Sequence, residues 1–141
     1  MNVTLVAVGV LVLAFVATAA VVLVRTRRGF VTITVEGMSM SPALLDGDRV
    51  LVSRRARTAA RNGDVVVVER PGDDGWFIKR VVATGGETIP DAVRARRGLP
   101  DGAVVASGEV MVLGDHPASE DSKQWGALPV DRVVGVVVRK L

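Results

Sequence analysis

Two residues of this chain, Ser39 and Lys79, carry side chains that together could perform nucleophilic chemistry. The chain has no cysteine, and its single histidine, His116, lies far along the sequence from both. A serine hydroxyl is a weak nucleophile until a neighbouring base removes its proton, and a neutral lysine amine can be that base. The arrangement left open for nucleophilic catalysis is therefore a serine with a lysine as its base.

The residues around Lys79 favour a lowered pKa for its amine. Residues 76–82 are mostly β-branched and aromatic and predict a strand, in which Phe77, Lys79 and Val81 share one face. A lysine flanked by apolar side chains loses hydration, which disfavours the ammonium form and lowers the pKa. At the reference pKa only roughly one lysine in a few thousand is neutral at pH 7, so a working base needs this shift. The alternative is an ordinary strand lysine whose charged end reaches water.

The N-terminal segment predicts a membrane span. Residues 3–24 contain no charge and consist almost entirely of Val, Leu, Ala and Phe. As a helix this run would be roughly 33 Å long, enough to cross the hydrocarbon core of a bilayer. A long buried helix and a cleavable signal peptide are the alternatives, and Ala17-Thr18-Ala19 resembles a cleavage site. No Lys or Arg precedes the run and its apolar character continues past that site, which favours a retained anchor.

The distribution of charge limits the partners. The formal net charge is +3, and Arg25, Arg27 and Arg28 supply all of it, so residues 29–141 are neutral. A nucleic-acid-binding domain would carry its own basic surface, so we expect no nucleic-acid partner. The three arginines would suit anionic lipid head groups beside the span. A chain without cysteine and with one histidine is a poor candidate for a zinc site, and we expect no metal or other cofactor.

Beyond the apolar run, the pattern predicts an all-β domain. Gly and Asp turns separate short runs of strand character. The predicted strands cover residues 31–35, 49–53, 65–68, 76–82, 110–113 and 133–139. Residues 90–108 are interpreted as a loop with at most one short strand, residues 114–126 as a polar loop, and no helix is expected after Val24. The predicted organisation is an anchor with its basic flank, residues 1–28, followed by a β domain, residues 29–141.

Four segments in order resemble the conserved boxes of type I signal peptidases, the membrane-bound serine proteases of the Ser-Lys class. Residues 37–44, Gly-Met-Ser-Met-Ser-Pro-Ala-Leu, are similar to the nucleophile box. The next strand box is similar to residues 63–67, Gly-Asp-Val-Val-Val. The lysine box is similar to residues 79–87, which begin Lys-Arg-Val-Val. Residues 114–126 resemble the closing box. The resemblance covers nearly the whole chain and implies a small barrel-like, coiled β-sheet catalytic domain.

The resemblance also implies a role for each matching residue. Ser39 would be the nucleophile, with its backbone N–H in the oxyanion hole, and Lys79 would be the general base. Ser119 would position the lysine, and Asp121 with Lys123 would brace the closing loop. Shallow pockets for small side chains before the cut would be built from five residues: Val35, Met40, Leu44, Phe77 and Ile78. The substrates implied are preproteins that carry signal peptides, and the lipid bilayer is the second implied partner.

The chain departs from the family pattern at several positions. Gly37 stands where some members carry a hydroxyl that serves as a second oxyanion donor. His116 replaces the usual Asn, the closing loop is one residue shorter before Ser119, and Lys123 replaces an Arg, losing bidentate geometry. The stretch from Gly86 to Val110 is short, so we expect the accessory β domain of larger members to be missing.

Membrane orientation and exact activity leave alternatives open. The arginines after the span favour a cytoplasmic C-terminal domain by the positive-inside rule, whereas the family places that domain outside. We expect the outside location, on the cell membrane, because translocated signal peptides emerge there. Competing functions are a dedicated maturation protease for one secreted substrate and a catalytically inactive, membrane-tethered β domain. A self-cleaving Ser-Lys repressor is a further alternative, but the apolar span and the neutral domain argue against it.

Overall fold

The computed structural model describes the backbone of residues 3–141 and, within it, the side chains of residues 6–24 and 29–141. The chain divides into an N-terminal helical unit that ends at Phe30 and a β unit, Val31–Leu141. The side chains of Arg25, Arg27 and Arg28, predicted to contact lipid, lie outside the described residues.

The N-terminal unit consists of one helix, α1, Val3–Arg28. Its segment Val6–Val24 is long enough and apolar enough, by length and composition, to cross a membrane, and its side chains are exposed. The hydroxyl of Thr18 donates a hydrogen bond to the carbonyl of Ala14, 2.8 Å away. This bond satisfies the polar group within the helix itself, so the threonine leaves no unpaired donor on the apolar surface.

The β unit is built on a single curled sheet of seven strands in a half-barrel, which confirms the predicted fold class. The strands are β1 Phe30–Thr34, β2 Arg49–Ser53, β3 Val65–Glu69, β4 Trp76–Thr84, β5 Glu109–Leu113, β6 Leu128–Pro129 and β7 Val133–Lys140. Their order across the sheet is β1-β2-β7-β3-β4-β5-β6, so the last strand lies between the second and third. The short strand β6 was not predicted.

The prediction of no helix after Val24 is wrong in two places. Helix α2, Asp91–Arg97, lies in the segment that was interpreted as loop. It has Asp91 in its first turn, arginines in its last turn, and Gly98 after its end with φ 64°, where the Gly98 N–H bonds to the Arg94 carbonyl. These are the charges and the left-handed cap that stabilise short helices. The second is α3, Ser122–Trp125, inside the predicted polar loop.

The register of β3 and β4 places Lys79 inside the domain. Val66 lies opposite Lys79, and Val68 lies opposite Phe77, in this antiparallel pair. Directly opposed residues share a face of the sheet, so Lys79 faces the same side as the buried cluster of Val66, Val68 and Val81. The neighbouring residue Val67 packs into a second cluster on the other side. Both faces of β3 are therefore buried, and the lysine side chain lies on an apolar surface.

Candidate active site

The segment that carries Ser39 is held by buried side chains on its C-terminal side. Met40 and Leu44 are 1% and 7% exposed and pack with Val35, Val50 and Val52. The Leu44 N–H donates to the Met40 carbonyl at 2.9 Å, which closes a tight turn. Apolar burial on one side of the segment fixes its backbone and leaves the preceding Ser39 partly exposed.

The backbone of Ser39 is oriented by a contact from the closing segment. Its carbonyl accepts a hydrogen bond from the His116 N–H at 3.0 Å. Within the part of the chain that the structure describes, the Ser39 N–H has no acceptor. A backbone donor that is free and fixed in direction is the kind of group that can stabilise an oxyanion.

Gly37 adopts a backbone conformation that suits glycine. Its φ is 82°, and its N–H donates to the Asp46 carboxylate at 2.7 Å. An added Cβ would have open space, so the restriction comes from the backbone conformation rather than from crowding. The absence of a hydroxyl at this position is thus coupled to the shape of the turn before Ser39.

Lys79 is the largest of the fully buried side chains among the described residues and is only 1% exposed. Its Nζ donates to the Ser119 Oγ at 2.9 Å and lies 4.9 Å from the centre of the Phe77 ring. The predicted alternation along β4 is confirmed by this contact, since Phe77 and Lys79 meet on one face. The surface-lysine alternative is wrong.

Burial lowers the pKa of Lys79 to about 8. Loss of hydration is the main cause, and the positive charge of Lys123 acts in the same direction. The carboxylates of Asp121 and Glu120 oppose the shift, because a negative charge stabilises the ammonium. With a pKa of about 8, about one molecule in ten carries the neutral amine at pH 7. The neutral fraction at pH 7 is therefore more than a hundredfold larger than that of an ordinary lysine.

Ser119 is fixed by the tight packing of the closing segment, residues 114–126. It is 4% exposed, and its N–H donates to the His116 carbonyl at 3.0 Å. A side chain at Gly114 would overlap both the Ser119 side chain and the Ser39 carbonyl, which would be 2.5 Å from the added Cβ. Gly114 therefore permits the segment that positions the lysine to approach the segment that carries Ser39.

Asp121 is the buried anchor of the closing segment. Its carboxylate is 0% exposed and accepts hydrogen bonds from the Gly114 N–H at 2.9 Å and from the Lys123 N–H at 3.1 Å. The Lys123 ammonium contacts both carboxylate oxygens, at 2.9 and 2.7 Å. The Asp121 N–H bonds in turn to the Gln124 side chain, completing a capping box at the start of α3. The predicted ion pair thus forms within a network of backbone contacts.

Two clefts meet at Ser39. One, of about 340 Å³, is lined by Ser39, Lys79 and Ser119, together with Met38, Phe77, His116, Ala118 and Glu120. The other, of about 280 Å³, also includes Ser39 and is lined by four of the five predicted pocket residues, Val35, Met40, Phe77 and Ile78. The fifth, Leu44, packs in the core cluster and does not line either cleft. The candidate nucleophile therefore lies where a space beside the lysine joins a partly apolar groove.

Two parts of the site carried no prediction from the sequence. The sequence places Gly114 only within the closing motif and Arg80 only beside the lysine, and it predicts no contact for either residue. The Arg80 guanidinium forms two hydrogen bonds to the Asp115 carboxylate, at 2.9 and 2.7 Å. This pair raises the pKa of Arg80 and joins β4 to the closing segment on the far side of the strand from Lys79.

Among the described residues, no group of three or more His, Cys, Asp or Glu side chains could hold a metal ion.

Comparison with known proteins gives one consistent family. The profile described as "Signal peptidase, peptidase S26" matches residues 7–95 and 92–141. A signal peptidase I of Bacillus licheniformis is 34% identical over 74 residues, which cover 50% of this chain and 40% of that protein. A signal peptidase I of Aquifex aeolicus is 39% identical over 59 residues, covering 40% of this chain and 23% of that protein.

A solved structure is also similar. The crystal structure of a signal peptidase I from Enterococcus faecalis V583 aligns with a TM-score of 0.41 and 22% identity, over 54% of this chain and 94% of that one. The alignments with the two curated relatives span well under two thirds of either relative's length. The family profile, by contrast, matches nearly the whole of this chain, and the chain therefore belongs to the signal peptidase, peptidase S26 family.

Proposed function

We propose that this chain is a membrane-anchored serine endopeptidase that cleaves signal peptides from exported preproteins with a Ser39–Lys79 dyad. The observation that carries the proposal is the buried Lys79 amine, held by Ser119 at 2.9 Å in the cleft that Ser39 also lines. Residues 1–28 would be the anchor with its basic flank, and residues 29–141 the catalytic domain. The names of the relatives support the substrate class.

In the first step, the neutral Lys79 amine takes the proton of the Ser39 hydroxyl while Ser39 Oγ attacks the scissile carbonyl carbon. The carbonyl oxygen becomes an oxyanion, which the free N–H of Ser39 would stabilise. The Lys79 ammonium then gives its proton to the departing amine, and the C–N bond breaks to leave an acyl ester on Ser39. A water molecule, deprotonated by the same amine, hydrolyses the ester and restores the serine.

The surroundings of Lys79 support both roles of the amine. Its pKa of about 8 leaves it partly neutral at pH 7, yet basic enough to hold the proton that the leaving amine needs. The hydrogen bond to Ser119 fixes the direction of the amine, and exact direction of a reacting group is worth a large factor in rate. Asp121 and Lys123 would act through the closing segment by keeping Ser119 in place.

The groove beside Ser39 supports a preference for small side chains before the cut. Val35, Met40, Phe77 and Ile78 give its walls an apolar character, and its volume of about 280 Å³ is small. An extended substrate with alanine at the first and third positions before the scissile bond would place two small groups there. Larger side chains at those positions would need the walls to move.

The experiment that tests this proposal is cleavage of a peptide with an Ala-x-Ala site by the full chain in lipid nanodiscs. Ser39→Ala and Lys79→Ala should each abolish cleavage, and Lys79→Arg should do the same because a guanidinium does not deprotonate near neutral pH. Ser41→Ala and Lys140→Ala are matched controls, since Ser41 lies two residues away and Lys140 forms a surface pair with Asp48. Equal cleavage by the wild type and both alanine variants would refute the dyad.

The same experiment separates the competing functions. A folded wild-type chain that leaves every signal peptide intact would favour an inactive, membrane-tethered domain. Cleavage of one exported substrate, with a panel of other signal peptides left intact, would favour a dedicated maturation protease.

Orientation in the membrane has a separate test. We propose that the β unit faces the extracytoplasmic side, because signal peptides become accessible there after translocation. External protease added to intact protoplasts should degrade the β unit. Full protection of the domain would contradict a role in general signal-peptide removal and would agree with the arginines at the C-terminal end of α1.

A further inference from the structure

Four side chains beside Lys79 form a closed set of contacts that we call the clamp: Arg70, Phe77, Glu120 and Trp125. The Phe77 and Trp125 rings are stacked, with centres 5.3 Å apart and planes 10° from parallel. The Arg70 guanidinium lies 4.8 Å from the centre of the Phe77 ring. The Trp125 indole N–H donates to the Glu120 carboxylate at 3.0 Å, and Glu120 lies 3.8 Å from Arg70. Each member therefore contacts two others.

The clamp joins the two segments that hold the candidate base. Arg70 and Phe77 belong to the hairpin of β3 and β4, which also carries Lys79. Glu120 and Trp125 belong to the closing segment, which also carries Ser119. The Phe77–Trp125 stack thus runs beside the hydrogen bond from Lys79 to Ser119 and connects the same two parts of the domain.

Within the clamp, the aromatic stack is the part that packs against the buried core. Both rings are partly buried against the apolar cluster that includes Val66, Val68 and Val81, and stacked aromatic pairs add stability beyond their burial. The Arg70–Glu120 pair is long and both side chains are about half exposed, so it contributes little. The stack therefore joins Trp125 to the ring that lies 4.9 Å from the Lys79 amine.

We propose that Trp125 is a positioning residue that keeps water from the Lys79 amine, by holding the Phe77 ring beside it and by fixing the segment that carries Ser119. The inference deepens the proposed function and rests on it where it treats Lys79 as the base. A Trp125 that only filled space would stabilise the fold without affecting the protonation of the lysine.

The charged groups near the amine give the clamp a second, opposite effect. Asp121 and Glu120 stabilise the ammonium and Lys123 destabilises it, while His116 lines the same cleft. On β3, the residue opposite Lys79 is the apolar Val66. Loss of the stack would admit water and raise the pKa of Lys79, whereas loss of the Glu120 charge would lower it. Two changes within one clamp should therefore move the titration of Lys79 in opposite directions.

The test is a direct titration of Lys79 in the full chain in detergent micelles, by NMR of lysine labelled with ¹³C at Cε. The chain has three lysines, so the Lys79 signal is identified by its loss in Lys79→Met. Trp125→Leu should move the midpoint of Lys79 upward by about one pH unit from the wild-type value, and Trp125→Phe, which keeps a stacking ring, should stay close to wild type. Glu120→Gln keeps the acceptor for the indole N–H and should move the midpoint downward.

Cleavage of the Ala-x-Ala peptide provides the second readout. Trp125→Leu should lower kcat/KM at pH 7 roughly tenfold and recover to within about twofold of wild type above its new midpoint. An unchanged Lys79 midpoint in Trp125→Leu, a downward shift there, or equal losses of activity at every pH would overturn the inference.

The two readouts separate this inference from the proposed function. If Ser39→Ala abolishes cleavage while Trp125→Leu leaves the Lys79 midpoint unmoved, the proposed function stands and the inference is wrong. If the wild-type chain is inactive while the midpoints shift as expected, the positioning role stands and the proposed function fails.

Discussion

Replacement of Gly114 by alanine is the change with the largest expected effect outside the proposed dyad. The added Cβ would overlap the Ser119 side chain and come within 2.5 Å of the Ser39 carbonyl. The Ser119 side chain would have to move by more than 1 Å, and the Ser39 carbonyl by about 1 Å, to restore ordinary contact, and a displacement of that size in a catalytic group can reduce the rate about 10²-fold. The same overpacking should lower the free energy of unfolding by about 1–3 kcal/mol.

A matched variant separates the two effects. In Gly85→Ala the added Cβ would lie 2.9 Å from the Ala106 carbonyl and 3.1 Å from the Ser107 Cα, just after β4 and away from both clefts. Its expected loss of stability is similar, but the kcat/KM of its folded fraction should stay close to wild type. The assay is cleavage of the Ala-x-Ala peptide, normalised to the folded fraction from tryptophan fluorescence. A Gly114→Ala enzyme that cleaves as well as Gly85→Ala would refute the reasoning.

Two further changes test the electrostatics. The folded chain releases the Lys79 proton at about pH 8 and the unfolded chain near 10.5, so the free energy of unfolding should rise with pH between these values. Lys79→Met should be more stable than wild type at pH 7 by up to about 3 kcal/mol in thermal unfolding, an advantage that vanishes above pH 10.5. Asp121→Asn removes the buried carboxylate that pairs with Lys123 and should lower the free energy of unfolding by roughly 3 kcal/mol in the same assay. An unchanged free energy of unfolding would contradict the bracing role of Asp121.

Much of the sheet could be predicted because its signals are local. Each of the six predicted strands occurs with bounds shifted by no more than two residues, since alternation and glycine turns act over a few positions. The same alternation placed Phe77 and Val81 on the face of Lys79, but it left open a surface lysine, and only the structure shows the burial. Local pattern thus located the candidate base before any contact was known.

The helix α2 was missed although its signals are also local. Proline, glycine and arginine in residues 90–108 were interpreted as loop composition, but their order carries the information. Asp91 follows Pro90, the arginines come at the end, and Gly98 follows them, which is the order of a capped helix. The order of the residues within the segment therefore indicates a helix, whereas the composition of the segment alone does not.

The contacts that position the site are long-range and could not be derived from one sequence. The overlap that requires glycine at position 114 comes from Ser39 and Ser119, which meet it only once the sheet has formed. The stack of Trp125 on Phe77 depends likewise on the path of the closing segment. Such contacts follow from the tertiary fold, whereas residue type alone suggests only that an aromatic side chain will be partly buried.

The most direct measurement of the central claim is the rate at which Ser39 is acylated as a function of pH. The full chain in nanodiscs would be mixed with an Ala-x-Ala peptide ester that carries a good leaving group, and the adduct located by intact mass and peptide mapping. We expect the adduct on Ser39, with a rate that rises with a midpoint near pH 8, the value at which Lys79 loses its proton, and that is lost in Lys79→Met. Acylation of another residue, or an unchanged rate in Lys79→Met, would contradict the account.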